Sequence, residues 1–167
     1  MTDRKLDKDE KQAELRKYRD LVLATLDYYV DNKELHLKTA EFDSVEYYIG
    51  LKIEVEENFQ KGRLTRLKQW FRDLTEGQVE AGDLKFNKYL QDKTKYDINI
   101  FKSYYERVDR IIKKGKITTD NQFYDINMMV DQLCQNVPVD HEKIEILNKL
   151  LGDYEQRKTQ QTRKPTA

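Results

Sequence analysis

The strongest chemical signal in the sequence is a run of basic residues at 61–72 that contains no acidic residue. Guanidinium and ammonium groups bind carboxylates and phosphates through charge-assisted hydrogen bonds, and amide and indole groups add further donors. The run therefore predicts a site for an acidic or anionic partner. Its candidate residues are Arg63, Arg66, Lys68, Gln69, Trp70 and Arg72.

Helical geometry divides this segment into two faces. At about 100° per residue, its leucines and Phe71 fall on one side of a helix, and Lys68, Gln69 and Arg72 fall on the opposite side. A basic helix over 63–75 can enter a DNA groove, as in helix-turn-helix proteins. It can equally dock on an acidic helix of the same molecule or of a second copy. Five positive charges are few for a DNA-binding protein, so nucleic acid is the alternative prediction.

An acidic segment precedes the basic one. Residues 41–57 contain six acidic side chains and a single basic one, Lys52, which gives a local charge of −5. The whole chain has 31 basic and 31 acidic residues, and its formal charge is zero. No overall field therefore steers the molecule towards nucleic acid or an anionic membrane, and any such affinity must come from a local patch.

Eleven tyrosines form the second unusual feature, with doublets at 28–29, 47–48 and 104–105. Adjacent residues of a helix diverge by about 100°, so one member of each doublet can face the core and the other the rim. Rim tyrosines are typical of protein interfaces. The alternative is that these side chains fill the seams between helices and point their hydroxyls at water.

Catalytic and metal chemistry find little support in the sequence. Cys134 and His141, with Asp140 adjacent, are the one candidate nucleophile and base, and no oxyanion-hole pattern accompanies them. The two histidines of the chain lack the Glu-x-x-His spacing of di-iron bundles. Segment 92–103 lacks the glycine and glutamate of a calcium loop, and 110–119 lacks the first glycine of a P-loop. We predict no enzyme activity, no metal and no cofactor.

Helices must position all of these residues, because apolar residues recur every three or four positions and sustained alternation is rare. The pattern predicts helices over about 7–31, 40–60, 63–75 and 83–114, the last with a kink or break within 92–97, and two more after Thr119 and Asp140. Predicted caps at helix starts are Thr39, Asp83, Thr119 with Gln122, and Asp140. Predicted helix ends are Gly62, Gly77 and Gly115.

The second predicted helix has an unusually wide apolar stripe. Its apolar residues cover more than half of the circumference, so we expect this helix at the centre of the fold. These residues are Phe42, Val45, Tyr48, Ile49, Ile53, Val55 and Phe59.

Length and composition set the architecture. The 167 residues are 38% apolar and include only eight glycines and prolines, so we predict one all-helical domain over 1–156. Five or six helices with short loops would form an elongated antiparallel bundle, followed by a basic disordered tail over 157–167. A lone cysteine predicts a cytoplasmic protein, and no apolar run approaches the roughly 20 residues of a membrane span.

The resulting functional prediction is a non-enzymatic helical module that works through contacts with a partner protein or with a second copy of itself. The alternative is a regulatory protein that binds nucleic acid through the basic helix 63–75.

Overall fold

The structure is a computed structural model that describes residues 7–135 and 137–162. These ranges contain seven α-helices, so the all-helical class is confirmed and the predicted number of five or six is slightly low. The helices are α1 (Lys8–Asp31), α2 (Ser44–Gln60), α3 (Leu64–Glu80), α4 (Leu84–Thr94), α5 (Lys102–Lys114), α6 (Asp120–Cys134) and α7 (His141–Thr162).

The chain divides into two compact units, Met1–Asn99 and Ile100–Ala167. Such a division does not test independent folding, so the single domain over 1–156 stays a prediction. The elongated antiparallel arrangement of the helices also stays a prediction. The first unit holds α1 to α4, and the second holds α5 to α7.

In the first unit, α1 is the central helix and packs against α2, α3 and α4. Asp27 of α1 binds Lys52 of α2 at 2.6 Å and approaches Lys93 of α4 at 3.7 Å. The buried hydroxyl of Tyr29 donates to the carbonyl of Leu74 in α3 at 2.6 Å. Apolar contacts supply most of the packing. The buried apolar residues of α1 are Leu15, Leu21, Val22, Ala24, Leu26 and Tyr29.

The predicted central position of α2 is wrong. Of its seven stripe residues only Val55 is buried, and Phe42, Ile49 and Ile53 are exposed. The stripe is wider than α1 and α3 together can cover, so its outer part faces solvent. A wide stripe does not by itself predict burial, because periodicity gives no information about how many neighbours a helix has.

The start of α2 also differs from the prediction. Thr39 does not cap it; the cap is Asp43, whose carboxylate accepts from the backbone N–H of Val45 at 2.9 Å and of Glu46 at 3.3 Å. Thr39 instead closes a turn, where its hydroxyl accepts from the N–H of Phe42 at 3.1 Å. The helix begins four residues later than expected because the preceding residues pair with one another.

Glycine and loop positions account for the other helix ends. Gly62 and Gly115 take left-handed φ angles of 66° and 67°, as predicted. The prediction for Gly77 is wrong, since α3 continues to Glu80 and Gly82 takes the left-handed conformation after it. The expected break after 92 is a complete one: α4 ends at Thr94, and Lys95 is left-handed with φ 61°.

In the second unit, α6 packs against α5 and α7. The Thr119 hydroxyl caps α6 by accepting from the N–H of Gln122 at 3.3 Å, and the Gln122 side chain accepts from Thr118 rather than from Thr119. Asp140 caps α7 by accepting from the N–H of Lys143. The core residues of this unit are Ile100, Phe101, Tyr104, Val108, Ile111, Ile117, Ile126, Met129, Leu133, Leu147, Leu150, Leu151 and Tyr154.

The predicted disordered tail is partly wrong, because α7 continues to Thr162. Arg157 donates to the carbonyl of Ile117 at 2.9 Å, and Lys158 forms an ion pair with Asp120. These contacts hold the side chains of Arg157 and Lys158, which we expected to belong to a disordered tail. Residues 163–167 of the predicted tail lie outside the described residues.

Candidate interaction surface

The basic helix α3 has the two faces that its spacing predicts. Leu67 and Phe71 are buried, while Arg66, Gln69 and Arg72 are exposed. The rest of the exposed face is acidic, because Asp73, Glu76 and Glu80 follow the basic residues in the last turns. The cationic character is therefore confined to the first half of the helix.

Lys68 differs from the other candidates, because it is used within the molecule. Its ammonium lies 2.9 Å from a carboxylate oxygen of Glu14 in α1 and 5.0 Å from the ring centre of Tyr18. Arg72 pairs with its neighbour Asp73 at 3.2 Å. Within the described ranges no basic side chain of α3 forms an ion pair with a carboxylate of α2, although the two helices are in contact.

Arg63, Arg66 and Trp70 are the candidates at the beginning of α3 and just before it. The guanidinium of Arg66 stands over the half-buried ring of Trp70, 5.3 Å from its centre, and forms no ion pair in the part of the chain that the structure describes. Arg63 reaches the amide oxygen of Asn58 at 3.5 Å, which is a long and weak contact. We name the exposed residues Arg63, Arg66, Gln69 and Arg72 the basic turn.

The solvent side of α2 combines apolar and acidic side chains. Ile49 and Ile53 lie one helical turn apart and are 48% and 66% exposed. Glu46, Glu56 and Glu57 are exposed on the same side of the helix. Within the described residues, Glu57 pairs with Lys61 across one turn at 3.1 Å, and both side chains of that pair are more than half exposed. Exposed pairs of this kind contribute little to stability, about 0.3–0.5 kcal/mol.

The loop before α2 extends this apolar region. Lys38 and Asp43 form an antiparallel bridge and a 2.7 Å ion pair, and this hydrogen bond lowers the pKa of Asp43. Leu37 and Phe42 flank the two ends of this bridge and are 59% and 42% exposed. The Phe42 ring is 5.7 Å from that of Tyr47, which continues the surface onto α2.

Six of the eleven exposed large apolar residues in the described chain therefore fall within 35–53. We name them the α2 surface: Leu35, Leu37, Phe42, Tyr47, Ile49 and Ile53. Sequence reasoning missed this surface because it assigned Phe42, Ile49 and Ile53 to the buried stripe of a central helix. The tyrosine doublet gave the available signal, since Tyr48 stacks on Tyr29 with ring centres 5.2 Å apart while Tyr47 is exposed.

The remaining residues that the sequence singles out for chemistry are Cys134, His141 and Asp140. Cys134 and His141 are both exposed, and Asp140 is used as a helix cap. Residues 7–135 and 137–162 contain no group of three or more His, Cys, Asp or Glu side chains that could hold a metal ion. None of the described helices has the length and apolar character to span a membrane.

The second unit has two shallow surface cavities. One, of about 280 Å³, is lined by Arg107, Arg110, Lys114 and Asp125, among others. Asp125 accepts two hydrogen bonds from Arg107, at 2.9 and 3.0 Å, and so neutralises part of this cluster. The other, of about 260 Å³, lies beside Tyr105. Neither lining contains a serine, cysteine or histidine that could act as a nucleophile beside a base.

Comparison of this sequence and structure with protein-family models, with curated proteins and with solved structures gives no significant match.

Proposed function

We propose that this protein is a non-enzymatic helical module that binds a partner protein, or a second copy of itself, through the α2 surface. The observation that supports it is the concentration of exposed large apolar side chains within 35–53. Single exposed apolar residues are normal in proteins, but a cluster rimmed by charge is typical of an interaction site. Removing such side chains from water contributes free energy to association.

The acidic rim defines the chemistry of the partner. Glu46, Glu56 and Glu57 stand beside Ile49 and Ile53, so the complementary surface is apolar at its centre and basic at its edge. Complementary charge around an apolar centre sets orientation and suppresses wrong partners. A partner with the same acidic rim would be repelled.

Nucleic-acid binding through the basic turn is the second candidate. The exposed Arg66, Gln69 and Arg72 favour it. Asp73 and Glu76 lie on the same exposed face and would meet the phosphates of a duplex lying along α3, which is why we rank it second. It requires salt-sensitive binding to duplex DNA that weakens when Arg66, Lys68 and Arg72 become alanine; binding indifferent to those changes would eliminate it.

We also propose a cytoplasmic location and an elongated shape for the protein. A lone cysteine suits a reducing compartment, so we place the module in the cytoplasm, with its helices arranged as an elongated antiparallel bundle. Small-angle X-ray scattering tests the shape, because a compact particle would give a markedly smaller maximum dimension than an elongated one.

Site-specific cross-linking tests the proposed surface. A photoreactive amino acid placed at position 53 in the cell should form adducts with a protein, either another chain or a copy of this one. The matched control is position 146, an isoleucine of α7 that is 45% exposed and lies outside the α2 surface. Adducts at neither position, or equal adducts at both, would contradict the proposal.

A further inference from the structure

We propose that the shallow cavity between α5 and α6 binds a phosphorylated side chain of a partner protein. The cavity has a volume of about 280 Å³ and belongs to the second unit. It shares no residue with the α2 surface, so the inference goes beyond the proposed function. Clusters of arginine and other basic residues are typical binding sites for the phosphorylated motifs of proteins.

The positive charge of this region is concentrated on the side of α5 that lines the cavity. Arg107, Arg110 and Lys114 are spaced by three and four residues, so helical geometry places them on one side. The acidic residue between them, Asp109, lies on a different side of α5 and lines the other cavity. Among the described lining residues, three cations and one carboxylate, that of Asp125, give a local charge of +2.

Two of the three cations, Arg110 and Lys114, are exposed and form no ion pair among the described residues. Arg107 is used differently, because its two hydrogen bonds to Asp125 join α5 to α6 beside the cavity. The exposed Glu106 precedes Arg110 by one turn but does not line the cavity. The site therefore offers two positive charges to a ligand. A phosphate monoester carries about 1.5 to 2 negative charges at pH 7, so the charges match.

A neutral hydrogen-bond donor completes the site on α6. The side-chain oxygen of Gln122 accepts from the backbone N–H of Thr118 at 2.8 Å and from its hydroxyl at 3.0 Å. These two bonds hold the amide group, whose nitrogen makes no hydrogen bond within the described part of the chain. The terminal oxygens of a phosphate monoester are strong acceptors. Arg110, Lys114 and Gln122 thus supply donors of three kinds from two helices to one phosphate group.

The size of the cavity favours a single group carried by a larger molecule. Cavities that hold a whole drug-sized ligand enclose about 300–1,000 Å³ and cover most of its surface. This cavity is smaller and shallow, so it covers one phosphate group and leaves the rest of the ligand outside. Nucleic acid fits less well, because its strand continues beyond one phosphate. Along α5, the next phosphate would approach the exposed Glu106.

Binding to phosphopeptides tests the inference with the full chain. The probes are short peptides with phosphoserine, phosphothreonine or phosphotyrosine at the centre and mixed residues elsewhere, each beside its unphosphorylated form. We expect the wild type to bind a subset of the phosphorylated peptides at least about tenfold more tightly than the unphosphorylated forms. Inorganic phosphate should compete with these peptides for the site.

Two double variants locate the binding. Arg110→Gln with Lys114→Gln should weaken phosphopeptide binding at least about tenfold. Lys113→Gln with Lys116→Gln is the matched control, because it removes the same charge at exposed positions that do not line the cavity. At physiological salt its effect is screened, so we expect binding within about threefold of the wild type. All four positions are exposed, and circular dichroism should show unchanged helicity in both variants.

Three results would overturn the inference. The first is a wild type that binds no phosphorylated peptide more tightly than its unphosphorylated form, even if it binds inorganic phosphate. The second is an equal loss of binding in the two double variants, which would indicate a general charge effect. The third is binding to duplex DNA, or to vesicles of phosphatidylcholine and phosphatidylserine, that depends on Arg110 and Lys114 and is tighter than binding to any phosphopeptide.

Discussion

Replacing Ile53 with serine separates the role of this side chain in association from its role in folding. Ile53 lies in the middle of α2 with two thirds of its surface in water. Isoleucine and serine have similar helix propensities, so the helix itself is not perturbed. We expect the free energy of unfolding of the monomer to change by less than about 0.5 kcal/mol.

The expected effect on association follows from the exposed fraction. Full burial of an isoleucine side chain is worth about 1.5–3 kcal/mol. Ile53 is 66% exposed, so about two thirds of that, roughly 1–2 kcal/mol, is available to a partner. When the partner is a second copy of the chain, a twofold dimer buries two Ile53 side chains. The substitution then removes about 2–4 kcal/mol of association free energy, which raises the dissociation constant by about 30- to 700-fold.

Two measurements on the same samples provide the assay. Sedimentation equilibrium gives the dissociation constant, and urea unfolding followed by circular dichroism gives the free energy of unfolding. Ile146→Ser on α7 is the matched control, because it makes the same change at an exposed isoleucine outside the α2 surface. We expect the control to leave the dissociation constant unchanged.

Two results would contradict this role of Ile53. A loss of more than about 1 kcal/mol in the unfolding free energy would mean that Ile53 is covered within the folded chain. An association constant that stays within threefold of the wild type, with unchanged folding, would mean that the partner does not touch this side chain.

Three further predictions concern folding. Leu26→Ala, at a fully buried position of α1, should lower the free energy of unfolding by about 2–5 kcal/mol in urea. Burial raises the pKa of Tyr104, so the unfolded chain loses this proton first; stability should fall as pH rises above about 10, and less steeply in Tyr104→Phe. The hydrogen bond from Lys158 lowers the pKa of Asp120, so its contribution should be present above about pH 4 and lost in more acidic solution. Asp120→Asn should flatten that acid dependence in unfolding measured from neutral to acidic pH.

Much of the local structure could be predicted because short-range chemistry determines it. The predictions that Asp83 caps α4, and that Gly62 and Gly115 follow the ends of helices, are confirmed. Each depends on a single residue whose side chain or φ preference satisfies a helix terminus. The predictions for Thr39 and Gly77 rested on the same signals and are wrong, because residues 36–44 bond to one another and α3 continues past Gly77 to Glu80.

The α2 surface could not be predicted, since burial depends on tertiary neighbours. Leu26 of α1 and Ile53 of α2 are both large apolar residues of predicted helices, yet one is fully buried and the other is exposed. The difference is that α1 is enclosed by three helices and α2 is not. The cationic face of α3 was predictable, but its use of Lys68 on α1 was not, because Glu14 lies 54 residues away in the sequence.

The central position of α1 has a consequence for synthesis. This helix leaves the ribosome before every helix that covers it, and Phe86 of α4, whose ring packs 4.8 Å from that of Tyr28, follows Asp31 by 55 residues. At about 5–20 residues per second, the side of α1 that faces α4 stays uncovered for roughly 3–11 s until Phe86 is synthesised. The nascent chain is therefore most exposed to aggregation and to chaperones during that interval.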